Sequence, residues 1–272
     1  MFIFDGNPNG RIMCELSNWN GRVYKISRNE LSLFANRDDC QNTGVYFLFG
    51  HDIDKGDTVY IGEAERMYDR LKQHLKDNEY WNECVAVISK DNHLNKAHVK
   101  YMENKFYLLA KEIARFSIVN SMVPTCSSVS EYDIAMLDEF IEHTRLLVNT
   151  LGKKVFEAVI DMTSPKLNED DLFQIKAARG ADAKGIIVSE GFAVLKGSVI
   201  ASTTTPSMSR SLNTLRDKLL KDAIINENYE FVSDYIFTSP SLAAAIVMGR
   251  NANGKTEWKN HDGENINDIE TK

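Results

Sequence analysis

An α+β architecture is expected for this chain: a small, mainly antiparallel three-stranded sheet flanked by helices, then a second α+β domain. Three observations point to it. The runs TGVYFLFG (43–50) and DTVYIG (57–62) are rich in β-branched and aromatic residues. A polar, Gly-containing stretch around Asp52, Asp54, Lys55 and Gly56 joins them, the pattern of an antiparallel hairpin. Helical spacing of apolar residues then surrounds a third strand, ECVAVISKD (83–91), and short strand-like runs dominate after Gly152.

Residues 1–40 read as a β-rich lead-in, with MFIF and RVYKIS separated by turn signals at Asn7-Pro8-Asn9-Gly10 and Asn20-Gly21. A helix over 64–78 would bury Met67, Leu71 and Leu75. A second, about 95–115, repeats Val99, Met102, Phe106, Leu109 and Ile113 and has Asn95 as N-cap. A third, about 131–150, starts at Ser130-x-x-Asp133 and stops near Gly152. Beyond it KVFEAVID, LFQIKAA, KGIIVSE and FAVLKGSVIAS are expected as strands, and 211–223 as a helix. In SPSLAAAIVMG, Ser239 is placed to cap, Pro240 to open and Gly249 to close a helix. Asn253-Gly254 reads as a hairpin turn with TEWKN returning as a strand. The expected organisation is therefore a lead-in (1–40), a central domain (41–152) and a C-terminal domain (153–272).

Hydrophobic content of 43% and charged content of 26% lie in the globular range, and 272 residues suffice for two domains. No apolar run approaches the roughly 20 residues of a membrane-spanning helix, and MFIFDGNPNG does not resemble a signal peptide. A cytoplasmic protein without a membrane partner is expected. Cys14, Cys40, Cys84 and Cys126 are scattered, which speaks for reduced, structural thiols and against a zinc knuckle or disulfide framework. The net charge of -7 argues against a surface coated for nonspecific DNA binding, though it permits a local basic groove.

Chemistry concentrates between residues 44 and 120. Gly44-Val45-Tyr46 lies on the first hairpin strand, and Tyr60-Ile61-Gly62 on the second. Arg70 and His74 follow on the next helix, Glu103 on the helix after, and Asn120 beyond it. Arg66, Arg70 and His74 recur every four residues, a cationic stripe beside Met67 and Leu71. A guanidinium suits phosphate because its planar fork can hold two oxygens. Glu103 borders the apolar face of its helix, where a carboxylate needs a partner or a metal. Each residue also has an ordinary explanation: hairpin packing for the tyrosines, pairing of Arg70 with Glu63 or Glu65, and a Lys100–Glu103 surface pair.

The ordered set over roughly 43–122 resembles the GIY-YIG nuclease family, with Val in place of Ile in the first tripeptide. The resemblance implies a GIY-YIG core and a metal-dependent endonuclease acting on nucleic acid, in the first place DNA, in bacterial repair, restriction or phage defence. It implies Tyr46 as general base, Tyr60 assisting, Arg70 stabilising charge at phosphorus and His74 positioning water or phosphate. Glu103 would anchor Mg2+ (or Mn2+), and Asn120 would support the site. An ordinary phenol ionises near 10, so a tyrosine base would need Arg70 and the metal to favour its phenolate. The competing expectation is a noncatalytic nucleic-acid-binding or regulatory module retaining the fold.

Residues 184–269, with Phe192-x-Val194-x-Lys196-Gly197-Ser198, Ser239-Pro240-Ser241 and Glu257-Trp258, look like a poorly characterised domain that often follows GIY-YIG modules. Arg250, Asn253 and Lys255 there are candidate nucleic-acid contacts, together with Arg66 and Lys100. Trp258 reads either as part of that surface or as core. His93 and His98 are expected in structural or solvent roles.

Overall fold

Near-continuous apolar runs such as those of residues 44–49 and 84–89 form strands buried on both faces. In the computed structural model, which describes residues 1–7, 10–53, 55–77, 80–158 and 171–271, the chain divides into two compact units, Met1–Glu157 and Ala158–Lys272. Both mix helix and strand. No helix among the described residues is long and apolar enough to cross a membrane.

The first unit contains β1 (Phe2–Ile3), β2 (Ile12–Cys14), β3 (Gly21–Ser27), α1 (Leu31–Phe34), β4 (Gly44–Asp52) and β5 (Gly56–Ala64). It continues with α2 (Met67–Asp77), β6 (Trp81–Ser89), α3 (Lys96–Ile113), β7 (Ser117–Ile118) and α4 (Glu131–Thr150). The sheet has seven strands in the order β1-β2-β3-β6-β4-β5-β7, not the three expected. The lead-in is part of that sheet, because β3 pairs along most of the free edge of β6, from Gly21 opposite Ser89 to Ser27 opposite Glu83. An unpaired edge on so apolar a strand would leave buried backbone groups unsatisfied.

The two faces of the sheet carry different cores. Val45, Phe47, Phe49, Val59 and Ile61 pack against Val99, Met102 and Phe106 of α3 and Leu137, Phe140 and Ile141 of α4. Phe47 meets Phe106 and Phe156 edge-on, at centroid distances of 5.1 and 4.9 Å. Tyr46, Leu48, Ala86 and Ile88 face the other way, against Leu31, Phe34, Met67 and Leu71. In α2 the buried stripe is Met67, Leu71 and His74, while Leu75 is exposed, contrary to expectation. Spacings of four and then three residues keep a helix on one face, and the polar side chain takes the third inward place. Residue 78, the expected end of this helix, and Asp54 of the hairpin loop lie outside the described residues, as do Pro8 and Asn9.

Asn95 caps α3 in a reciprocal box with His98, and Ser130 caps α4. Of the expected strand KVFEAVID, residues 154–156 form a 3-10 turn and those from 159 onward lie outside the described residues.

The second unit holds a four-stranded antiparallel sheet, ordered β11-β10-β9-β8, from β8 (Phe173–Lys176), β9 (Asp182–Val188), β10 (Gly191–Val194) and β11 (Tyr235–Phe237). Helices α5 (Arg210–Lys221), α6 (Pro240–Met248), α7 (Gly254–Glu257) and α8 (Ile266–Glu270) complete it. FAVLKGSVIAS is strand only in its first part, since the chain turns at Gly197. α6 begins and ends as expected, with Ser239 capping and Gly249 in the left-handed region. Asn253-Gly254 is not a hairpin turn: Asn253 caps α7, and TEWKN does not return as a strand. An Asx side chain before a glycine satisfies either geometry, and packing decides.

Trp258 is fully buried, 4.6 Å from Phe192 between ring centroids, and its indole N–H donates to the Pro240 carbonyl at 3.0 Å. It is core, not recognition surface. Trp258→Ala should destabilise this unit by about 3–5 kcal/mol. Amide exchange should therefore accelerate across residues 171–271; unchanged exchange would show that the indole contributes little.

Candidate active site

The β4–β5 ladder places Tyr46 opposite Gly62 and Leu48 opposite Tyr60. All four residues thus belong to the sheet face that α2 covers. The ring of Tyr46 occupies the space over Gly62: a Cβ there would come within 2.4 Å of its Cζ and Oη. Gly44 is required by a different neighbour, since a Cβ would stand 2.0 Å from the Val87 carbonyl oxygen of β6. Both glycines are close-approach positions: Gly62 lets the tyrosine ring lie over the sheet, and Gly44 lets β4 and β6 come together.

Around the buried Tyr46 phenol, Arg70 Nε donates to Oη at 3.2 Å, and Oη lies 2.7 Å from His74 Nε2. The Tyr46 and Tyr60 rings stack at 6.1 Å between centroids, and the His74 ring sits 5.4 and 5.1 Å from them. Burial, followed by the Tyr60 phenol, raises the Tyr46 pKa well above its ordinary value, outweighing the opposing pull of Arg70. Arg70 alone favours the phenolate, and burial outweighs it, so the resting phenol is neutral. For Arg70, burial pulls the pKa down, but the Tyr46 and Tyr60 phenols outweigh it and hold the guanidinium charged. Its Nη1 also donates to Gln73 at 2.9 Å.

Asn120 acts on the backbone. It accepts from the Ile61 N–H at 3.0 Å and donates to the Ile61 carbonyl at 2.7 Å. β7 pairs in parallel with β5 at Thr58 and Val59, and the Asn120 amide continues that ladder for one residue. Beyond Ile61 the outer edge of β5 has no strand neighbour among the described residues, and there a cavity of about 440 Å³ opens. Tyr46, Tyr60, Glu63, Arg70, Lys96 and Glu103 all line it, so side chains from β4, β5, α2 and α3 meet in one place.

Glu103 is half-buried and makes no hydrogen bond or ion pair among the described residues, so the competing explanation, a surface pair with Lys100, is absent. Burial, and next the Glu63 carboxylate, push its pKa from 4.5 to about 7, against the pull of Lys96, Lys100 and Arg70. Glu63 itself is held by Lys96 at 2.8 Å, and Lys96 also reaches Glu65 at 3.2 Å. Arg70 therefore does not pair with Glu63 or Glu65. The described residues contain no group of three or more His, Cys, Asp or Glu side chains arranged for a metal. A magnesium ion needs only one or two carboxylates with water and phosphate oxygens, and an unpaired carboxylate facing an open cleft fits that requirement.

The structure separates the remaining candidates. Arg66 lines the cavity rim but is exposed and paired with Asp69 at 3.0 Å, and His74 is buried, so the three-residue cationic stripe does not exist as one surface. Lys100 is half-buried on α3. Arg250, Asn253 and Lys255 belong to the second unit and are engaged: Arg250 with Glu257 at 2.7 Å, Asn253 in capping, Lys255 with Glu270. His93 is exposed, and His98 serves the α3 cap. Of the cysteines, Cys14, Cys40 and Cys84 are buried, but Cys126 is exposed and not a core thiol.

Sequence reasoning missed Glu63 and Lys96. The signals were present: Glu63 continues the inward alternation of Val59 and Ile61, and Lys96, Lys100 and Glu103 share a helix face.

Comparison with known proteins bears on the second unit. A family described as a domain of unknown function (DUF4357) matches residues 173–270. No curated protein and no solved structure matches the chain.

The raised pKa of Glu103 has a thermodynamic consequence. Between pH 4.5 and about 7 the folded protein binds more protons at this site than the unfolded chain, so stability falls as pH rises through that window. Glu103→Gln removes the penalty. After allowance for solvent screening, the variant should be more stable than the wild type by about 1–2 kcal/mol at pH 8. The difference should vanish below pH 5 in urea melts, and a pH-independent difference would show an ordinary carboxylate.

Proposed function

We propose that the cleft hydrolyses phosphodiester bonds of nucleic acid, in the first place DNA, as a GIY-YIG type endonuclease using one divalent cation, Mg2+ or Mn2+, on Glu103. The observation that carries this reading is the convergence of Tyr46, Tyr60, Arg70 and Glu103 on a single cavity at the open edge of a sheet. The arrangement of β5, β4 and β6 with α2 on one face and α3 on the other supports reading residues 43–122 as the GIY-YIG core. A cytoplasmic setting belongs to the same proposal.

Arg70 holds the Tyr46 oxygen through Nε, and a guanidinium has further N–H groups to direct at a phosphate in the cleft. When His74 carries its proton on Nδ1, its Nε2 accepts the phenol's own proton at 2.7 Å. Tyr46 can then accept a proton from the attacking water while passing its own to His74, and it need never stand as a free phenolate. This relay reconciles a tyrosine base with a phenol whose pKa burial has raised. Tyr60, stacked on Tyr46 and lining the same cavity, limits the directions from which water reaches the phenol. When bound, the cation neutralises charge at phosphorus and eases departure of the leaving oxygen. Glu103 must be ionised to hold it, so protons compete below about pH 7.

Plasmid cleavage with Mg2+ or Mn2+ tests the reading. Wild-type protein should nick or linearise DNA, and Arg70→Ala, Tyr46→Phe and Glu103→Ala should each reduce the rate by roughly 100-fold or more. Equal residual cutting by all four proteins would identify a contaminant and remove the proposal.

A further inference from the structure

Of the cations lining the cleft, the mechanism uses Arg70 and leaves Arg66 and Lys96 unused, and of these two only Lys96 rests on the carboxylates next to Glu103. Lys96 is the first residue of α3, on the same helix face as Glu103, and its ammonium lies 2.8 Å from Glu63 Oε1, 3.1 Å from Oε2, and 3.2 Å from Glu65 Oε2. Glu63 is only 16% exposed on its side chain, so its pair with Lys96 is shielded more than an ordinary surface ion pair. Glu63 lies at the end of β5, where the strand has lost its outer neighbour, Glu65 follows just beyond it, and Lys96 joins that end to α3.

We infer that Lys96 is a tethered counter-ion that competes with the divalent cation for Glu63, so that loading the cleft exchanges an internal ion pair for a second carboxylate ligand beside Glu103. This rests on the cation site proposed above and assigns two further residues to it: Glu63 as ligand, Lys96 as a positioning residue that sets affinity. The lining of the cavity holds four carboxylates (Glu63, Glu65, Asp69, Glu103) and three cations (Arg66, Arg70, Lys96). Asp69 is occupied by Arg66 and by Gln41, and Arg70 by the Tyr46 phenol, so Lys96 is the cation resting on the carboxylates next to Glu103. Glu103 responds to both members of the pair: Glu63 raises its pKa and Lys96 lowers it, which places all three within electrostatic reach. A doubly charged ion outbids an ammonium for two carboxylates in the same small volume because its attraction for each is twice as large. Release frees the lysine stem to turn its charge toward a bound phosphate.

The test is a Mn2+ titration of the full chain followed by electron paramagnetic resonance, without nucleic acid, comparing wild type, Lys96→Met, Lys96→Arg, Glu63→Gln and Glu103→Gln. Removing the internal competitor in Lys96→Met should tighten Mn2+ binding by roughly tenfold. Lys96→Arg, which keeps the charge, should stay near wild type, and Glu63→Gln should weaken binding by a similar factor. Unchanged or weaker binding in Lys96→Met, with Glu103→Gln still abolishing it, would overturn the inference while leaving the cation site intact. Wild-type protein that binds no Mn2+, or binds it equally well as Glu103→Gln, would instead overturn the cation site itself. Lys96→Arg controls for disturbance of the first turn of α3, since both variants alter the same position.

Discussion

The register between β4 and β5 is the constraint on which the site depends. Tyr46 faces Gly62 across the ladder, and the missing side chain at 62 is what makes room for its ring. A slip of one residue would turn Tyr46 to the face packed by α3 and α4, away from Arg70 and His74. The register is secured from both sides: β6 pairs β4 along nearly its full length, and Asn120 grips both backbone polar groups of Ile61 on the outer edge. A polar constellation can be held inside a strongly apolar unit because the backbone around it has few alternatives.

Electrostatics in the cleft follow from where the sheet ends. Inside, next to the sheet, burial dominates: it raises the pKa of the Tyr46 phenol and of the Glu103 carboxyl against the pull of the nearby cations. At the rim, charges pair with one another, Arg66 with Asp69 and Lys96 with Glu63 and Glu65. The overall charge of -7 is then no guide to what this cavity attracts, since a phosphate would meet Arg70 and whatever cation Glu103 holds. Four carboxylates against three cations leave the lining of the cavity with an acidic balance.

Strands β4, β5 and β6 and helices α3 and α4 were legible because their alternation and periodicity are long and their caps explicit. Tyr46, Tyr60, Arg70 and Glu103 could be singled out together because their order along the chain is informative even where each residue alone is not. Their shared cavity was less visible, since it depends on where β7 stops pairing. Leu75 and His74 were exchanged because a helix phase read from three apolar residues tolerates an error of one position. The pair of Lys96 with Glu63 escaped notice because the two lie far apart in sequence and meet only across the strand edge. In the second unit, Asn253-Gly254 misled because the local signal for a tight turn and for a helix cap is the same.

The most direct measurement is a crystal structure of the protein with a short DNA duplex and Ca2+, which resembles Mg2+ in its preference for oxygen ligands and slows turnover. A backbone phosphate should sit in the cavity at the edge of β5, with Arg70 N–H groups on its oxygens, the ion on Glu103 and a water within hydrogen-bond reach of the Tyr46 phenol. Duplex bound with no phosphate in that cavity, or an ion bound away from Glu103, would contradict the account.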